Sequence, residues 1–231
     1  IVHPFDQTKA LIRHYRAFAA ASPDELTTWL VFRKAPPLPF LPAEWHGREV
    51  AIVAALYAGE REAGERALAP MRQFWKPIAD VIGPAPYAGF QQAFDPLLTP
   101  GARNYWKSHF FSGLPDGLID AVLEHTGNLP SPQCEIFFGA LGGATMRPAT
   151  TDMAYAQRNA EYTMNVHGRW DEAADDARGI RWARDVFDAT APFANGRVYV
   201  NFLTADEGDR VRNAYGPNYD RLARVKRQYD P

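Results

Sequence analysis

Apolar and polar residues recur with two different periods along this chain of 231 residues. A period of two places alternate side chains on one face and is typical of a half-buried strand, whereas a period of three to four is typical of a helix with one apolar face. The first pattern predicts strands over residues 28–33, 50–57, 76–82, 104–110, 135–139, 161–167 and 198–202. The second predicts helices from Asp6 onward, over residues 60–75, 87–94, 115–125 and 171–189, and again after Gly216-Pro217.

These elements follow one another in mixed order, without the regular glycine-containing turns of a doubly wound sheet. We therefore expect an α+β fold: a mainly antiparallel sheet with helices covering one face, followed by a C-terminal strand and helix. Two helices have apolar stripes expected to point inward, which consist of Ala173, Ala177, Ile180 and Phe187 in one, and of Tyr219, Leu222, Val225 and Tyr229 in the other.

Composition narrows the class of protein without identifying it. The hydrophobic fraction is 46%, the charged fraction is 23% and the formal net charge is -2, so nothing favours nucleic acid or an anionic membrane as a partner. No apolar run approaches the roughly 20 residues of a spanning helix, and no secretory signal is found, so a cytoplasmic location is expected. The opening residues 1–4 resemble the end of a strand entering a helix, and the chain is expected to be a fragment.

Cysteine and histidine usage predicts no metal site. Cys134 is the only cysteine, so no intrachain disulfide can form, and we expect this thiol to be a small buried hydrophobe. The six histidines include no His-x-x-x-His pair.

Three strands carry polar residues at every second position. In the first, Tyr105, Lys107 and His109 alternate with Trp106, Ser108 and Phe110; in the second, Glu161, Thr163, Asn165 and His167 alternate with apolar residues; in the third, Glu135 is in phase with Phe137. Because alternate residues share a face, these polar sets could form one surface. That surface is either solvated or the lining of a substrate pocket under a second domain. The pocket candidates are Tyr105, Lys107, His109, Glu135, Asn165 and His167.

The last 35 residues contain a dense series of motifs. They are Tyr199-Val-Asn201-Phe202, then Ala205-Asp206, then Tyr215-Gly216-Pro-Asn218-Tyr219-Asp-Arg221-Leu222, then Val225-Lys226, and finally Tyr229-Asp230-Pro231. This arrangement resembles the closing segment of berberine-bridge-type FAD-linked oxidases. A weaker resemblance extends back through Tyr105-Trp106-Lys107-Ser108 and Leu141-Gly142-Gly143-Ala144.

The resemblance implies the C-terminal half of a flavoprotein oxidase with FAD as cofactor. It divides the chain into a substrate-binding domain, residues 1–190, and a closing segment, residues 191–231, that would pack on an FAD domain missing from this chain. The substrate would be a small alcohol or amine, and molecular oxygen would be the final acceptor. Tyr199 would be the general base and Asn201 a contact to the flavin or the pocket. Gln157 departs from the family, in which a histidine is common at this position.

Two further expectations follow from the absence of the FAD domain. The chain alone should bind no flavin, because the glycine-rich pyrophosphate loops are not present in it. An uncovered sheet face should favour self-association into a homo-oligomer. The alternative function is a binding or structural module that keeps the fold without flavin.

Overall fold

The computed structural model describes residues 1–231. The strands are β1 (Val2–Pro4), β2 (Leu26–Lys34), β3 (Glu49–Tyr57), β4 (Arg103–Phe111), β5 (Glu135–Ala140) and β6 (Tyr162–Trp170). The helices are α1 (Thr8–Ala20), α2 (Arg61–Arg72), α3 (Tyr87–Gln92), α4 (Asp116–Thr126), α5 (Asp176–Thr190), α6 (Val211–Tyr215) and α7 (Tyr219–Tyr229). None of these helices has the length and apolar character needed to cross a membrane.

The six strands form one sheet in the order β1-β3-β2-β5-β6-β4, and every neighbouring pair is antiparallel. The two longest pairings join β2 to β3 and β4 to β6 over nine residues each. Since β4 is last in this order, it is an edge strand with one side free of strand partners. The predicted α+β fold with a mainly antiparallel sheet is confirmed.

Helices α1, α4 and α5 cover one face of the sheet and enclose the main hydrophobic core of 27 buried residues. In α1 the buried residues include Leu11, Tyr15 and Phe18, whose helical spacing places them on one face. They meet alternate positions of the strands, such as Leu30 in β2 and Phe138 in β5. The period-two and period-3.6 patterns therefore account for how this layer packs.

Two of the predicted strands are wrong. Residues 76–82 make only a single bridge between Ala79 and Val2, because β1 is three residues long and Pro77 has no N–H to donate. Residues 198–202 form no strand either, since Val200–Phe202 is a 3-10 turn.

The buried face of α5 also differs from the predicted stripe. Ala173 and Ala177 are exposed, whereas Gly179, Trp182 and Val186 are buried. Gly179, Trp182 and Val186 form the row of α5 that packs inward. The buried face of α5 is therefore offset from the face that Ala173 and Ala177 were predicted to form.

The closing segment runs around the β4 edge and ends in two helices. Gly216 separates α6 from α7 with a φ of 54°, a value that favours glycine, and Pro217 occupies the first turn after it. No residue of α7 is buried. Val225 and Tyr229, members of its predicted apolar stripe, are exposed.

Candidate active site

The candidate site lies on the sheet face opposite α1, α4 and α5, which we call the open face. Strand register assigns residues to it: in β4 and β6, Trp106 pairs with His167 and Ser108 pairs with Asn165. In β5 and β6, Glu135 pairs with His167. Because directly paired residues share a face, these five side chains lie on one side of the sheet. Three predicted pocket residues, Glu135, Asn165 and His167, are thus brought together.

The other three pocket candidates lie on the opposite side. Tyr105, Lys107 and His109 alternate with the open-face residues of β4, so they face α5 and part of the closing segment. His109 stacks on Phe187 of α5, with ring centroids 4.0 Å apart. Lys107 lies 3.3 Å from a carboxylate oxygen of Asp206. Their prediction as part of one pocket surface with Asn165 is wrong.

A charged cluster occupies the β2–β5–β6 part of the open face. Arg33 donates to a Glu135 carboxylate oxygen at 2.8 Å, and His167 Nδ1 lies 3.5 Å from the other oxygen. Burial raises the pKa of Glu135, but hydrogen bonding to His167 and the charge of Arg33 outweigh it and hold this pKa below its ordinary value. His167 Nε2 lies 3.1 Å from Asn104 Oδ1. Both ring nitrogens of His167 are therefore occupied within the chain.

Several buried polar atoms of the open face have no hydrogen-bond partner within the chain. They are Trp106 Nε1, Ser108 Oγ, Thr163 Oγ1 and Asn165 Nδ2. Ser108 is fully buried and Asn165 is 1% exposed, so leaving these groups unpaired costs free energy. Such atoms mark a surface suited to a polar ligand. Trp106 and Ser108 were not predicted as site residues, because both phases of β4 contain aromatic and polar side chains.

An aromatic cluster from the closing segment packs over part of the open face. Phe202 contacts Trp106 and Phe137 edge-on, each with ring centroids 6.0 Å apart. Tyr199 packs against Phe202 at 5.1 Å and against Tyr155 at 6.2 Å. These contacts hold Tyr199 above the same sheet face as Asn165.

The 3-10 turn brings Tyr199 and Asn201 together. Asn201 Nδ2 donates to the phenolic oxygen of Tyr199 at 2.9 Å. In the predicted strand these side chains would have stood side by side on one face; the turn instead directs the amide at the hydroxyl. This hydrogen bond fixes the position of the phenolic oxygen.

Gln157 and Cys134, whose roles were considered from the sequence, are both buried within the fold. Gln157 is fully buried, and its side-chain amide donates to the carbonyl of Ala214 at 3.2 Å. Cys134 is fully buried in the core, where burial raises the pKa of its thiol. The expectation that Cys134 is a buried small side chain is confirmed.

The fold is thus an antiparallel sheet with helices on one face and a closing segment that runs around the β4 edge. A family model, "Berberine and berberine like", matches residues 198–231. An FAD-linked oxidoreductase of Dictyostelium discoideum is 27% identical over 185 residues, covering 79% of this chain and 40% of that protein. The chain spans about two-fifths of the length of the curated relatives that it matches.

Solved structures share the fold at low sequence identity. BBE-like #28 from Arabidopsis thaliana has a TM-score of 0.78 at 15% identity, covering 100% of this chain and 53% of that one. A variant of berberine bridge enzyme has a TM-score of 0.77 at 13% identity, with 100% and 51% covered. The resemblance of this chain to part of the berberine-bridge-like FAD-linked oxidoreductases is confirmed.

Proposed function

We propose that residues 1–231 form the substrate-facing portion of an FAD-dependent oxidase that acts on a small alcohol or amine. Residues 1–190 would supply the floor of the substrate site, and residues 191–231 would close it against an FAD domain outside this chain. The relatives named as FAD-linked oxidoreductases support the cofactor and the general reaction. Molecular oxygen would be the final electron acceptor.

The observation that carries this proposal is the Tyr199–Asn201 pair above the open face. The phenolic oxygen of Tyr199 accepts a hydrogen bond from the side-chain amide of Asn201 at 2.9 Å. The ring is held between Phe202 and Tyr155. A general base needs this kind of fixed position, because proton transfer depends on hydrogen-bond reach to the substrate.

The residues of this chain fit one side of a flavin site. Asn165 Nδ2 and Ser108 Oγ are buried without a partner, which suits polar groups of a substrate or of the flavin ring. Asn201 is exposed, so it would contact the flavin ring in addition to its hydrogen bond with Tyr199. The phosphates would be held elsewhere, since the chain has no glycine-rich dinucleotide-binding fingerprint.

Proton transfer is the step that this chain would perform. Bound FAD would supply the hydride acceptor and pass the electrons to oxygen. For an alcohol, the phenolate form of Tyr199 takes the hydroxyl proton while hydride leaves the carbon and a carbonyl forms. Asn201 holds the phenolic oxygen in place for the transfer. The aromatic rings of Phe202 and Tyr155 exclude water from one side of the phenol.

Replacing Tyr199 by phenylalanine tests the proposal in the flavin-containing enzyme. Tyr199→Phe removes the phenolic oxygen and keeps the ring contacts with Phe202 and Tyr155. A positioned base contributes about 10²–10⁴-fold to rate, so we expect flavin reduction to slow by that factor. The measurement is anaerobic stopped-flow reduction with a competent substrate, alongside flavin content and thermal unfolding.

The matched control is Tyr229→Phe, because Tyr229 is exposed on α7 and its hydroxyl has no proposed role. It should reduce flavin at the parent rate. Reduction of Tyr199→Phe at the parent rate would refute Tyr199 as the base. In that case Tyr199 would be only a wall of the pocket.

A further inference from the structure

Lys107, on the helix-covered side of β4, binds four oxygens of the closing segment. Its Nζ lies 3.3 Å from Thr204 Oγ1, 3.3 and 3.4 Å from the two Asp206 oxygens, and 3.3 Å from Glu207 Oε2. The side chain of Lys107 is 8% exposed and that of Glu207 is 5% exposed. We call this cluster the latch and define it as Lys107, Thr204, Asp206 and Glu207. A buried lysine with this many acceptors is unlike a freely solvated surface lysine.

Further groups complete the latch from α5 and β4. Tyr105 donates to Asp206 Oδ2 at 2.7 Å, and Arg184 donates to the same oxygen at 3.1 Å. Arg210 pairs with Glu207 and lies over the ring of Phe187. The acidic residues of the latch are therefore neutralised from three sides.

The latch and the Tyr199 cluster hold opposite sides of one edge strand. Trp106 and Ser108 flank Lys107 in β4 and point to the open face, where Trp106 contacts Phe202. Between these anchor points the chain only has to pass from Phe202 to Thr204. Thr204 also caps the turn that follows it, through reciprocal hydrogen bonds with Glu207. The segment is therefore fixed on both sides of β4.

We infer that Lys107 is a positioning residue for Tyr199. It acts through Thr204 and Asp206, which fix the segment that places Phe202 and Tyr199 over the open face. Without Lys107, the 204–207 turn loses the cation that its four oxygens share, and the phenol keeps only its local contacts with Phe202, Tyr155 and Asn201. The catalytic meaning of this positioning rests on the proposed function, whereas the positioning itself can be measured without flavin.

Fluorine NMR of the 231-residue chain tests the inference. All 10 tyrosines are replaced by 3-fluorotyrosine, and the Tyr199 resonance is assigned with Tyr199→Phe. In Lys107→Met, which keeps the length of the side chain and removes its charge, we expect the folded-state resonance of Tyr199 to shift or be lost. The resonance of Tyr15, a core residue, should keep its position.

Two controls separate positioning from loss of any lysine. Lys107→Arg retains a cation that can reach the same oxygens and should restore the Tyr199 resonance. Lys9→Met removes an exposed ion pair with Asp120 and should change nothing at Tyr199. An unchanged Tyr199 resonance in Lys107→Met overturns the inference.

A second variant decides the case in which Lys107→Met perturbs the whole fold. Asp206→Asn weakens the latch but leaves Glu207 paired with Lys107 and Arg210. Tyr105 donates to Asp206, so its resonance should shift in this variant in any case. A change at Tyr199 while Tyr15 keeps its position supports the inference, and no change at Tyr199 overturns it. The two proposals can fail separately. If the Tyr199 resonance responds to Lys107→Met but Tyr199→Phe reduces flavin at the parent rate, Lys107 positions Tyr199 and Tyr199 is not the base.

Discussion

His109 shows how the sheet determines the chemistry of a single residue. Its side chain is buried between β4 and Phe187, and Nε2 lies 3.1 Å from the Phe187 carbonyl. Burial is the largest influence and lowers the pKa of His109 to about 4. Arg210 also lowers this pKa, while the Phe187 carbonyl and Glu207 raise it. The folded protein therefore keeps this imidazole neutral at pH values where an unfolded chain binds a proton.

This difference predicts an acid-sensitive stability. Between pH 6.5 and about 4 the unfolded state binds a proton that buried His109 does not, so the free energy of unfolding falls as pH falls through this window. The loss reaches roughly 2–4 kcal/mol at its acid end. His109→Phe keeps the stack on Phe187 and removes the titration, so its stability should fall less between pH 7 and 5. Urea unfolding across that range measures the slopes.

His3 sets the size of the expected change. Burial also lowers the pKa of His3 to about 4 and that of the Ile1 amino group to about 6, so more than half of the parent slope should remain in His109→Phe. Phe40→Leu, at an exposed position without a titrating group, is the control and should leave the slope unchanged. The prediction fails if His109→Phe and the parent show the same slope. The pKa values of Glu135 and Glu207 are lowered from 4.5, so their stabilising contributions are lost only below that pH, outside the range of pH 7 to 5.

Sequence periodicity predicted which residues of a strand share a face but not which face they share. In β4 one phase contains Tyr105, Lys107 and His109, and the other contains Trp106 and Ser108. Both phases mix rings with polar groups, so local pattern alone does not distinguish them. Which phase faces the helices is decided by the register of β4 with β6 and by the contact of Lys107 with Asp206, about 100 residues later in the chain.

At the scale of elements, α5 packs on β6 through a glycine. Trp170 Nε1 donates to Asp176 at the start of α5 at 2.8 Å, which fixes the indole. A Cβ at Gly179 would lie 2.4 Å from a ring atom of Trp170, closer than packed atoms can approach. Gly179 therefore permits the close contact between this helix and the sheet, and it lies on the face that includes Trp182 and Val186.

Gly179→Ala should destabilise the protein although alanine favours helices. The propensity gain is about 1 kcal/mol, but overpacking against Trp170 costs about 1–3 kcal/mol. We expect a net loss of up to about 2 kcal/mol, measured by urea unfolding. The matched control is Gly89→Ala in α3, where an added Cβ meets nothing within 4 Å and should stabilise by roughly 0.5–1 kcal/mol. Greater stability in Gly179→Ala would show that Trp170 moves aside without cost.

The element that sequence predicted least well carries the proposed base. Residues 198–202 alternate like a strand, yet no strand pairs with them, and Val200–Phe202 turns as a 3-10 helix. Phe202 contacts Trp106 and Phe137, which come from two different strands. Tertiary contacts override local propensity here. By contrast, the motif resemblance of the same stretch was informative, because it does not depend on the backbone conformation.

For the whole molecule, the distribution of functional groups predicts that this chain alone binds no flavin. The open face offers polar atoms such as Asn165 Nδ2, but no phosphate-binding fingerprint accompanies them. The purified chain should be colourless after incubation with FAD and gel filtration. The ratio of absorbance in the visible flavin bands to absorbance in the protein band measures the amount of flavin bound per chain. A stoichiometric flavin spectrum would place the complete cofactor site within these 231 residues.

The path of the closing segment around β4 has a consequence for solubility. An uncovered edge strand offers backbone groups to any other strand that arrives, and this pairing is a common route to aggregation. Here the outward carbonyl of Phe110 accepts the backbone N–H of Asn195 at 2.9 Å, and the Ser108 carbonyl accepts the Arg210 guanidinium at 3.4 Å. The segment that brings Tyr199 to the open face thus also occupies the edge at which intermolecular sheets would begin to grow.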